Sequence, residues 1–534
     1  MPPKENLDVS FRDTQDDNVS RGKAIGAGLL AGFVAGLVMT VVMLVLAWFF
    51  GVATPLVIFG DRLSVFIPAD TFLKLMGRVG GYNHMKQLGV GSVIAGQLVV
   101  GGLGGAIYGL LRRSGRERKN SFTIAIFIFL PLIALSILLW SVLGTSYRGL
   151  PIQWAIVFTL LGLLIAFIAF ERTLVLTFHF LTRPSLLNGR EEWTPGIGRR
   201  AFLLGGFGIL IAGGGAAVLR KLYRAATFSY DGTQYRGSVV QPITPNEQFY
   251  CVTKNVVDPV VDASRWQLEI AGLVQTPRTY RFEDLKSLPA VDQETTLMCI
   301  SNQLDGGLMS NAVWKGIPMR ALLDPAGPME GAAKVRLHGV DNYTDTFPLE
   351  KAMDPTTLVV YQMNGEPLPN RHGSPARVIV PGYFGEKHVK WITRIEVANA
   401  DAVGFYEKQG WGPDFIVPTR SRIDVPDDWA SIKTADAANG IMVRGVAFAG
   451  NRGISKVEMS FDDGQTWRDA KLDYPGTKLT WVLWNCDWRP ERAGDYALVV
   501  RATDGEGKLQ EYDEKRPFKS GVTGFHKINI RIAA

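Results

Sequence analysis

The sequence predicts an α-helical membrane domain, followed by a strand-rich α+β domain and a small β-sandwich. Three observations predict this order. Hydrophobic residues make up 47% of the 534 residues, a length that exceeds one domain. Long uncharged runs are confined to the part of the chain before residue 220. After that point, short segments such as 266–270 and 334–338 alternate apolar and polar residues, which is the period of half-buried strands, and short helices are predicted at 282–287 and 319–323.

The boundaries between these domains follow from the changes in composition. We expect a cytoplasmic tail over residues 1–22, a membrane domain over 23–222, a linker over 223–241, an α+β domain over 242–423 and a sandwich over 424–534.

The membrane domain is predicted from uncharged runs that approach or exceed the roughly 20 residues of a spanning helix. The five predicted spans are residues 24–50, 88–111, 121–147, 151–170 and 201–219. Residues 61–80 are apolar with scattered charges and are interpreted as an interfacial helix. Lysine and arginine concentrate before the first run and in the loops at 112–119 and 183–200. This bias predicts a multi-pass cell-membrane protein with a cytoplasmic N-terminus and an extracytoplasmic region after residue 219.

Charge and residue counts exclude several classes of function. The net charge of +7 comes largely from the short basic loops beside apolar runs, which favours membrane topology over nucleic-acid binding. With only Cys251, Cys299 and Cys486 there is no disulfide framework, and Cys486 is predicted to fill the core. His84 and His179 are predicted near opposite membrane faces, so they would not ligate one haem. An anchor or docking bundle is therefore favoured, with a quinone site as the alternative.

Cys299 is the first candidate functional residue, because it ends an apolar run and begins a turn-rich loop where a ligand could reach it. A cysteine in general more often fills a small apolar gap. Here the run Asn311-Ala312-Val313-Trp314-Lys315-Gly316-Ile317-Pro318 follows. The two segments resemble the metal-bearing stretch of the sulfite oxidase family of molybdopterin enzymes, in which one cysteine thiolate ligates molybdenum.

A second resemblance to this family covers residues 361–369, 371–382 and 385–392, which are similar to its pterin-binding half. It implies the sulfite oxidase fold and a molybdenum–molybdopterin cofactor. A pyranopterin carries a phosphate and a ring edge of donors and acceptors, so its pocket needs a guanidinium, an imidazole, an ammonium and close backbone approach. The residues expected to supply these are Arg377, His372, Lys390 and the backbone of His388 and Val389, and the resemblance adds Tyr250 and Asp341.

The resemblance also implies the chemistry. Cys299 would be a metal ligand, with a neighbouring cation expected to lower the pKa of its thiol. The cofactor would carry out two-electron oxygen-atom transfer while the protein orients the substrate. The sequence has no haem-binding motif, so no haem is expected. Electrons would pass to or from a separate partner: a quinone, a membrane cytochrome or a soluble cytochrome.

The substrate is predicted from departures from the family pattern. Members that oxidise sulfite have an Arg-Asn-His run after the aromatic pair and an Asn-Arg-Arg run after the metal cysteine. This chain has Thr253-Lys254-Asn255 and Asn302-Gln303-Leu304. Lys254 and Asn255 remain candidate substrate-binding residues. The missing arginines favour reduction of a small neutral sulfoxide or N-oxide. The alternatives are sulfite oxidation with a cytochrome acceptor, and a non-catalytic, membrane-tethered binding module.

Two further segments bear on export and assembly. Residues 198–204, which contain Arg199-Arg200, resemble an internal, uncleaved twin-arginine export signal, although paired arginines are also an ordinary cytoplasmic flank. The alternating run 456–461 and the turn Asp462-Asp463-Gly464 predict strands joined by a hairpin. Residues 424–534 resemble the immunoglobulin-like domain that follows the molybdenum domain in this family, often at a dimer contact. A homodimer and a packing domain without dimerisation remain equal alternatives.

Overall fold

The structure is a computed structural model that describes most of the chain. The described residues are 21–50, 82–113, 123–140, 143–144, 152–182, 230–231, 240–255, 258–413, 415–512 and 520–534, with a few isolated residues between 52 and 78. All structural statements below concern these residues.

Long apolar helices form the first part of the chain. The helices are α1 (Arg21–Phe50), α2 (Tyr82–Arg113), a π-helical turn (Ala125–Phe129) that continues into α3 (Leu130–Leu138), and α4 (Ile152–Thr182). Three of them are long and apolar enough to cross a membrane, at Arg21–Ala47, Gln87–Arg112 and Gln153–Thr182. By length and composition these correspond to the first, second and fourth predicted spans.

The remaining predicted membrane segments differ or lie elsewhere. The third span, predicted over residues 121–147, contains a shorter apolar helix at Ala125–Leu138. Helix α4 continues beyond residue 170, where the predicted span ends. Glu171 lies within the helix and is only 3% exposed, and Nε of Arg172 lies 3.4 Å from the Glu171 carboxylate. The predicted fifth span, the arginine pair and nearly all of the predicted interfacial helix lie outside the described residues.

Two columns of glycines bring α1 and α2 into backbone contact. A Cβ atom placed on Gly32 would lie 2.1 Å from the carbonyl oxygen of Gly101, and one on Gly105 would lie 2.1 Å from that of Gly28. Small residues spaced four apart permit this approach, which is a common way for apolar helices to pack. Apolar side chains of α1, α2, α4 and the π-helical turn form one core, including Ala35, Tyr108, Phe127 and Phe167. We name Gly28, Gly32, Gly101 and Gly105 the glycine contact.

The next part of the chain contains two five-stranded sheets. Its strands are β1 (Tyr230–Asp231), β2 (Cys251–Val252), β3 (Gln267–Gly272), β4 (Arg278–Arg281), β5 (Val291–Met298), β6 (Met309–Pro318), β7 (Lys334–Gly339), β8 (Thr344–Pro348), β9 (Leu358–Met363), β10 (Glu366–Pro367), β11 (Arg377–Ile379) and β12 (Ile392–Ala398). One sheet has the order β10-β9-β6-β5 with β11 also paired to β9, the other has the order β4-β3-β12-β7-β8, and β1 pairs with β2.

Short helices connect these strands, which makes the domain α+β as predicted. The predicted helix at 282–287 is α5 (Phe282–Ser287), and the one at 319–323 forms α6 (Arg320–Leu323). Further elements are α7 (Leu349–Met353), α8 (Phe405–Lys408) and 3-10 turns at Asp324–Ala326, Asn370–His372 and Gly385–Lys387. The turn at Asn370–His372 contains His372 of the predicted pterin pocket, and the turn at Gly385–Lys387 directly precedes His388.

The last part of the chain consists of two sheets that share one core. Its elements are β13 (Arg420–Val425), β14 (Ser431–Lys433), α9 (Thr434–Ala437), β15 (Ile441–Phe448), β16 (Ile454–Ser460), β17 (Arg468–Asp469), β18 (Lys471–Tyr474), β19 (Val482–Trp488), β20 (Gly494–Asp504) and β21 (His526–Ala533). The sheets have the orders β13-β15-β19-β18 and β14-β21-β20-β16-β17. Val443, Trp484, Met459 and Ile530 are among the buried side chains between them, and Cys486 belongs to this core as predicted. The immunoglobulin-like classification stays a prediction.

The two strand-rich parts are continuous in packing. A hydrophobic cluster joins Met298 and Ile300 of the first part to Val446 and Trp481 of the second. Strand β13 begins at Arg420, slightly before the boundary predicted at residue 424, because it pairs with β15 from Arg420 onward. The first residues of the second domain are thereby adjacent to the loop that follows Cys299.

Candidate active site

One cavity brings together most of the predicted site residues. It opens to solvent and has a volume of about 140 Å3. Its wall includes Tyr250, Lys254, Cys299, Asp341, His372, Arg377, His388 and Lys390. These residues come from β2 and its flanks, the end of β5, the β7–β8 turn and the segment 370–391, so the two sheets and their connections close around one space.

Cys299 lies directly after β5 and faces this cavity. Its backbone N–H donates to the carbonyl oxygen of Leu308 at 3.0 Å, which closes the turn-rich loop, and its Sγ lies 3.1 Å from Oγ of Ser301. Burial raises the pKa of the thiol to about 11, opposed by Ser301 and reinforced by the charge of Glu386. The prediction that a neighbouring cation lowers this pKa is wrong, because in the described residues the nearby charge is a carboxylate. A bound metal ion would itself supply the positive charge that deprotonates a thiol.

Arg377 is a buried cation that ties the pterin segment together. Its Nη1 donates to the carbonyl oxygen of His372 and its Nη2 to that of His388, each at 3.1 Å. Its Nε is buried and has no hydrogen-bond partner among the described residues, and its guanidinium stacks 5.2 Å from the ring centroid of Trp314. Burial lowers the pKa of Arg377 to about 10, so the group stays charged at neutral pH.

Both histidines of this segment are held neutral. Nε2 of His372 donates to the carbonyl oxygen of Asn246 at 3.0 Å, which leaves its Nδ1 as the acceptor of the ring. His388 accepts from the N–H of Val380 at 3.1 Å and donates to the carbonyl oxygen of Tyr383 at 3.1 Å. Burial lowers the pKa of each to about 3. His372 therefore presents a neutral imidazole to the cavity. His388 also lines the cavity, but both of its ring nitrogens are bonded to the backbone.

The other predicted residues divide between the wall and its support. Nζ of Lys390 donates to the carbonyl oxygen of Arg371 at 3.1 Å and lies 3.7 Å from Sγ of Cys251. Val389 is behind the wall, where its side chain is buried and its carbonyl accepts from the N–H of Val378 at 2.9 Å. Burial raises the pKa of Tyr250 well above its usual range, with the Cys299 thiol as the next cause.

The two predicted substrate-binding residues meet at Asp341. Nζ of Lys254 donates to its carbonyl oxygen, and Nδ2 of Asn255 donates to its Oδ2, both at 2.8 Å. Lys254 lines the cavity, whereas Asn255 is not part of the wall and instead holds the Asp341 carboxylate. The structure thus brings Lys254 into the site and gives Asn255 a supporting position.

The wall residues that sequence reasoning missed include Tyr343, Glu386, Tyr406, Trp411 and Phe415. Three of the aromatic rings contact one another in tilted or edge-to-face orientations, with centroids of Tyr343 and Tyr406, and of Tyr406 and Trp411, each 5.8 Å apart. These residues come from segments distant in sequence and carry no motif. The side chain of Glu386 next to Cys299 could have been suspected only from its place between Gly385 and the predicted pterin residues.

A buried ion cluster lies behind Glu386. Nζ of Lys387 donates to Oδ1 of Asp345 at 2.6 Å and to Oε1 of Glu407 at 2.7 Å, and it lies 3.8 Å from the ring centroid of Phe415. Burial raises the pKa of Glu386 to about 8; the charge of Lys387 opposes this shift and those of Asp345 and Glu407 add to it. The hydroxyl of Tyr343 connects the cluster to the cavity, 2.8 Å from Oδ2 of Asp345.

Comparison with protein families matches both strand-rich parts of the chain. Residues 255–406 match the oxidoreductase molybdopterin binding domain, and residues 415–533 match the Mo-co oxidoreductase dimerisation domain. The mitochondrial sulfite oxidase of Homo sapiens is 31% identical over 345 residues, which cover 54% of this chain and 62% of that protein. The mitochondrial sulfite oxidase of Drosophila melanogaster is 30% identical over 341 residues, which cover 54% and 59%.

Two further proteins are similar to this chain at lower identity. A nitrate reductase [NADH] 2 of Phaseolus vulgaris is 29% identical over 322 residues, which cover 49% of this chain and 36% of that protein. The crystal structure of the sulfane dehydrogenase SoxCD from Paracoccus pantotrophus is 23% identical with a TM-score of 0.49, and the match covers 57% of this chain and 86% of that chain. The chain spans about three-fifths of the length of the sulfite oxidases it matches.

The cavity fits a molybdopterin cofactor. The orphaned N–H of Arg377, buried at the end of the pterin segment, suits an anionic group such as a phosphate. A Cβ atom on Gly373 would lie 3.0 Å from Cβ of Lys390, so the glycine, at φ +111°, keeps the backbone close to these cations. Cys299 provides one soft thiolate donor in the same cavity. The donor set and the close backbone agree with the matched domain.

Proposed function

Because the chain belongs to the sulfite oxidase family of molybdopterin oxidoreductases, we propose that it transfers an oxygen atom, with two electrons, to or from a small neutral substrate. Reduction of a sulfoxide or N-oxide is the favoured direction. It balances as one substrate, two electrons and two protons giving one sulfide or amine and one water. The electrons come from a separate partner, either a quinone, a membrane cytochrome or a soluble cytochrome.

The residues of the cavity divide this work. Cys299 would hold the metal, and Arg377, His372, Lys390 and the backbone of His388 would hold the pterin. When bound, the molybdenum cofactor supplies the two-electron oxygen-atom transfer. Tyr250 and Asp341 line the cavity beside these groups, and the buried side chain of Val389 lies behind the wall. Cys299 acts as a ligand and not as a nucleophile in this proposal.

The charge of the cavity is the observation that carries the substrate class. Arg377 and Lys390 are assigned to the anionic end of the cofactor, which leaves Lys254 as the cation for a substrate. Its ammonium already donates to the carbonyl oxygen of Asp341. The remaining wall is aromatic, with Tyr406, Trp411 and Phe415 among its residues. Such a wall suits methyl groups better than a small dianion.

Purification from a cofactor-competent host tests this proposal. Elemental analysis of the detergent-purified protein should give about one molybdenum per chain, with fluorescence of the oxidised pterin as a cross-check. The loaded protein should reduce dimethyl sulfoxide or trimethylamine N-oxide with a reduced viologen dye. Faster turnover of sulfite with ferricyanide or a cytochrome as acceptor would instead establish the alternative, which the identity to sulfite oxidases favours. The binding-module alternative is set aside because the matched domain is that of an enzyme.

We further propose a cell-membrane location with the catalytic domain outside the cytoplasm. The support is the three long apolar helices and the basic residues that follow α2, which are typical of a cytoplasmic loop. Protease added to intact spheroplasts should digest the region after residue 219 and spare a cytoplasmic marker protein. Loss of this digestion after replacing Arg199 and Arg200 by lysine would support twin-arginine export.

A homodimer completes the proposal. The second strand-rich part matches a domain described as a dimerisation domain. This match favours a dimer contact over the equal alternative of a packing domain without dimerisation, and the immunoglobulin-like fold is part of the proposal. Light scattering of the purified protein, corrected for detergent, should give twice the 58.7 kDa mass of the chain.

A further inference from the structure

We propose that Glu386 is the substrate-discriminating residue of this cavity, which excludes small dianions and hydrogen-bonds the oxygen of a neutral substrate. This inference rests on the proposed function and deepens it, because it names the group that selects the substrate class. It concerns a side chain that the sequence analysis did not assign.

The position of Glu386 is fixed by a tight backbone approach. It lies in the 3-10 turn Gly385–Lys387, directly after a glycine that has no room for a side chain. A Cβ atom on Gly385 would lie 2.6 Å from the hydroxyl oxygen of Tyr250 and 3.7 Å from Cα of Cys299. The turn therefore packs closely against Cys299, and Glu386 lines the same cavity as Cys299.

The carboxyl group of Glu386 is built to meet a ligand. Both Oε1 and Oε2 are shielded from solvent, and neither has a hydrogen-bond partner among the described residues. The backbone carbonyl oxygen of Glu386 accepts a hydrogen bond from the Tyr343 hydroxyl at 3.1 Å. Buried polar groups are nearly always satisfied in native structures, so two unsatisfied oxygens on a cavity wall indicate a partner that enters from the cavity.

The adjacent cation does not neutralise this carboxyl. Lys387 is already bonded to Asp345 and Glu407 on the other side of the turn. The cluster of one ammonium and two carboxylates is itself acidic, and Glu386 adds to it. A dianion in the cavity would therefore meet a like charge if Glu386 is ionised, and would find the ammonium of Lys254 as the one unassigned cation of the described wall if Glu386 is protonated. Burial keeps the pKa of Glu386 near 8, and a protonated carboxyl donates a hydrogen bond.

A neutral sulfoxide or N-oxide suits both the carboxyl group of Glu386 and the aromatic part of the wall. Its oxygen accepts one hydrogen bond from a carboxyl group, while its methyl groups contact the rings of Tyr406 and Trp411. Sulfite and sulfate carry several charged oxygens, and removing these from water would need several cations. In the described wall, Arg377 and Lys390 are assigned to the cofactor, which leaves Lys254. The discrimination therefore depends on the chemistry of one side chain.

Titration of the molybdenum-loaded protein with sulfate, a redox-inert dianion, tests the exclusion. Binding is followed by tryptophan fluorescence at constant ionic strength, since Trp411 lines the cavity. At about pH 9, where Glu386 is ionised, the wild type should show no saturable binding, Glu386→Gln should bind sulfate about tenfold more tightly, and Glu386→Lys more tightly again, because a like charge is removed and then reversed. Glu283→Gln, which removes an exposed carboxylate of α5, is the matched control and should behave as the wild type.

Turnover of the favoured substrate provides the second arm. Glu386→Met removes both hydrogen-bonding atoms and should raise KM for dimethyl sulfoxide about tenfold, whereas Glu386→Gln keeps a donor and should change KM less. Equal sulfate affinity in wild type, Glu386→Gln and Glu386→Lys would overturn the inference even if the protein reduces sulfoxides. Conversely, gained sulfate binding in a protein that reduces no sulfoxide or N-oxide would refute the proposed function and leave the discrimination standing. Molybdenum content and near-ultraviolet circular dichroism establish that each variant is loaded and folded.

Discussion

The guanidinium of Arg420 donates from Nη1 to the backbone carbonyl of Asn302 at 2.9 Å, in the loop that begins at Cys299. Its Nη2 donates to the carbonyl of Gln303, and Nη1 of Arg422 donates to the carbonyl of Gly306 at 2.6 Å. Both arginines are buried in β13, the first strand of the second domain. The loop that follows Cys299 is therefore held in place by side chains of the second domain.

Replacing Arg420 by methionine should loosen this loop. The change leaves buried carbonyl oxygens without a donor, and such charge-assisted bonds contribute about 1.5–3 kcal/mol each. We expect the midpoint of thermal unfolding to fall and the molybdenum content to drop severalfold. Arg489→Met, which removes an arginine that is 72% exposed, is the control and should change neither measurement. Full molybdenum retention in Arg420→Met would show that the loop is rigid without the second domain.

Replacing Cys299 by serine should abolish turnover while leaving the fold nearly intact. A serine fills the same space but is a harder donor that does not match a thiolate for molybdenum. Activity should fall below about 1% of the wild type, because the cofactor carries the chemistry. Cys486→Ser, in the core of the second domain, should keep its molybdenum and its activity. A fully active Cys299→Ser protein would end the proposed ligand role.

Replacing Gly32 by leucine should separate α1 and α2. The new side chain would overlap the backbone of Gly101 and Gly105, and overpacking of this kind costs about 1–3 kcal/mol or more. We expect a lower midpoint of thermal unfolding in detergent and faster proteolysis of the helical part. Gly96→Leu is the matched control, because a Cβ atom there meets nothing within 4 Å. Equal stability of the two variants would contradict the glycine contact.

Acid should destabilise the second domain through His526. Its Nδ1 accepts from the N–H of Ile423 at 3.0 Å, and burial lowers its pKa to about 4 from an unfolded value near 6.5. Between these values the unfolded chain binds more protons, so stability is complete above about pH 6.5 and falls as the pH drops toward 4, by up to about 1.4 kcal/mol per unit. The thermal midpoint of His526→Gln, measured over this range, should fall less steeply than that of the wild type. Identical slopes would exclude His526 as the cause.

Several parts of the fold follow from local sequence patterns. The alternation at 334–338 predicts β7, and the pattern at 282–287 predicts a helix whose observed bounds are the same, because burial of one face sets both periods. Asp463 and Gly464 both have positive φ at the predicted hairpin turn. Of the five spans that the uncharged runs predict, three correspond to long apolar helices. The run at 151–170 does not predict where α4 ends, since Glu171 is buried and does not stop the helix.

The site was predictable where it depends on contiguous residues and not where it depends on tertiary packing. Cys299, Arg377 and Lys390 lie in long ordered motifs, and one cavity contains all three. The pKa of Cys299 was predicted in the wrong direction, because the sequence does not show that burial raises it and that the charge of Glu386 adds to this shift. The role of Arg420 was also missed, since a single arginine at the start of a strand carries no local signal.

The packing of the second strand-rich part against the cysteine loop limits how this protein can be dissected. A fragment cut at residue 406 or 414, between the two matched families, would lose Trp411, Phe415 or both from the cavity, together with the arginines of β13. The fragment would expose Met298, Ile300 and Phe384, and such an apolar patch promotes aggregation. The smallest piece suited to crystallisation, grafting or directed evolution therefore runs from residue 240 to residue 534. Libraries aimed at new substrates should vary both halves of that piece together.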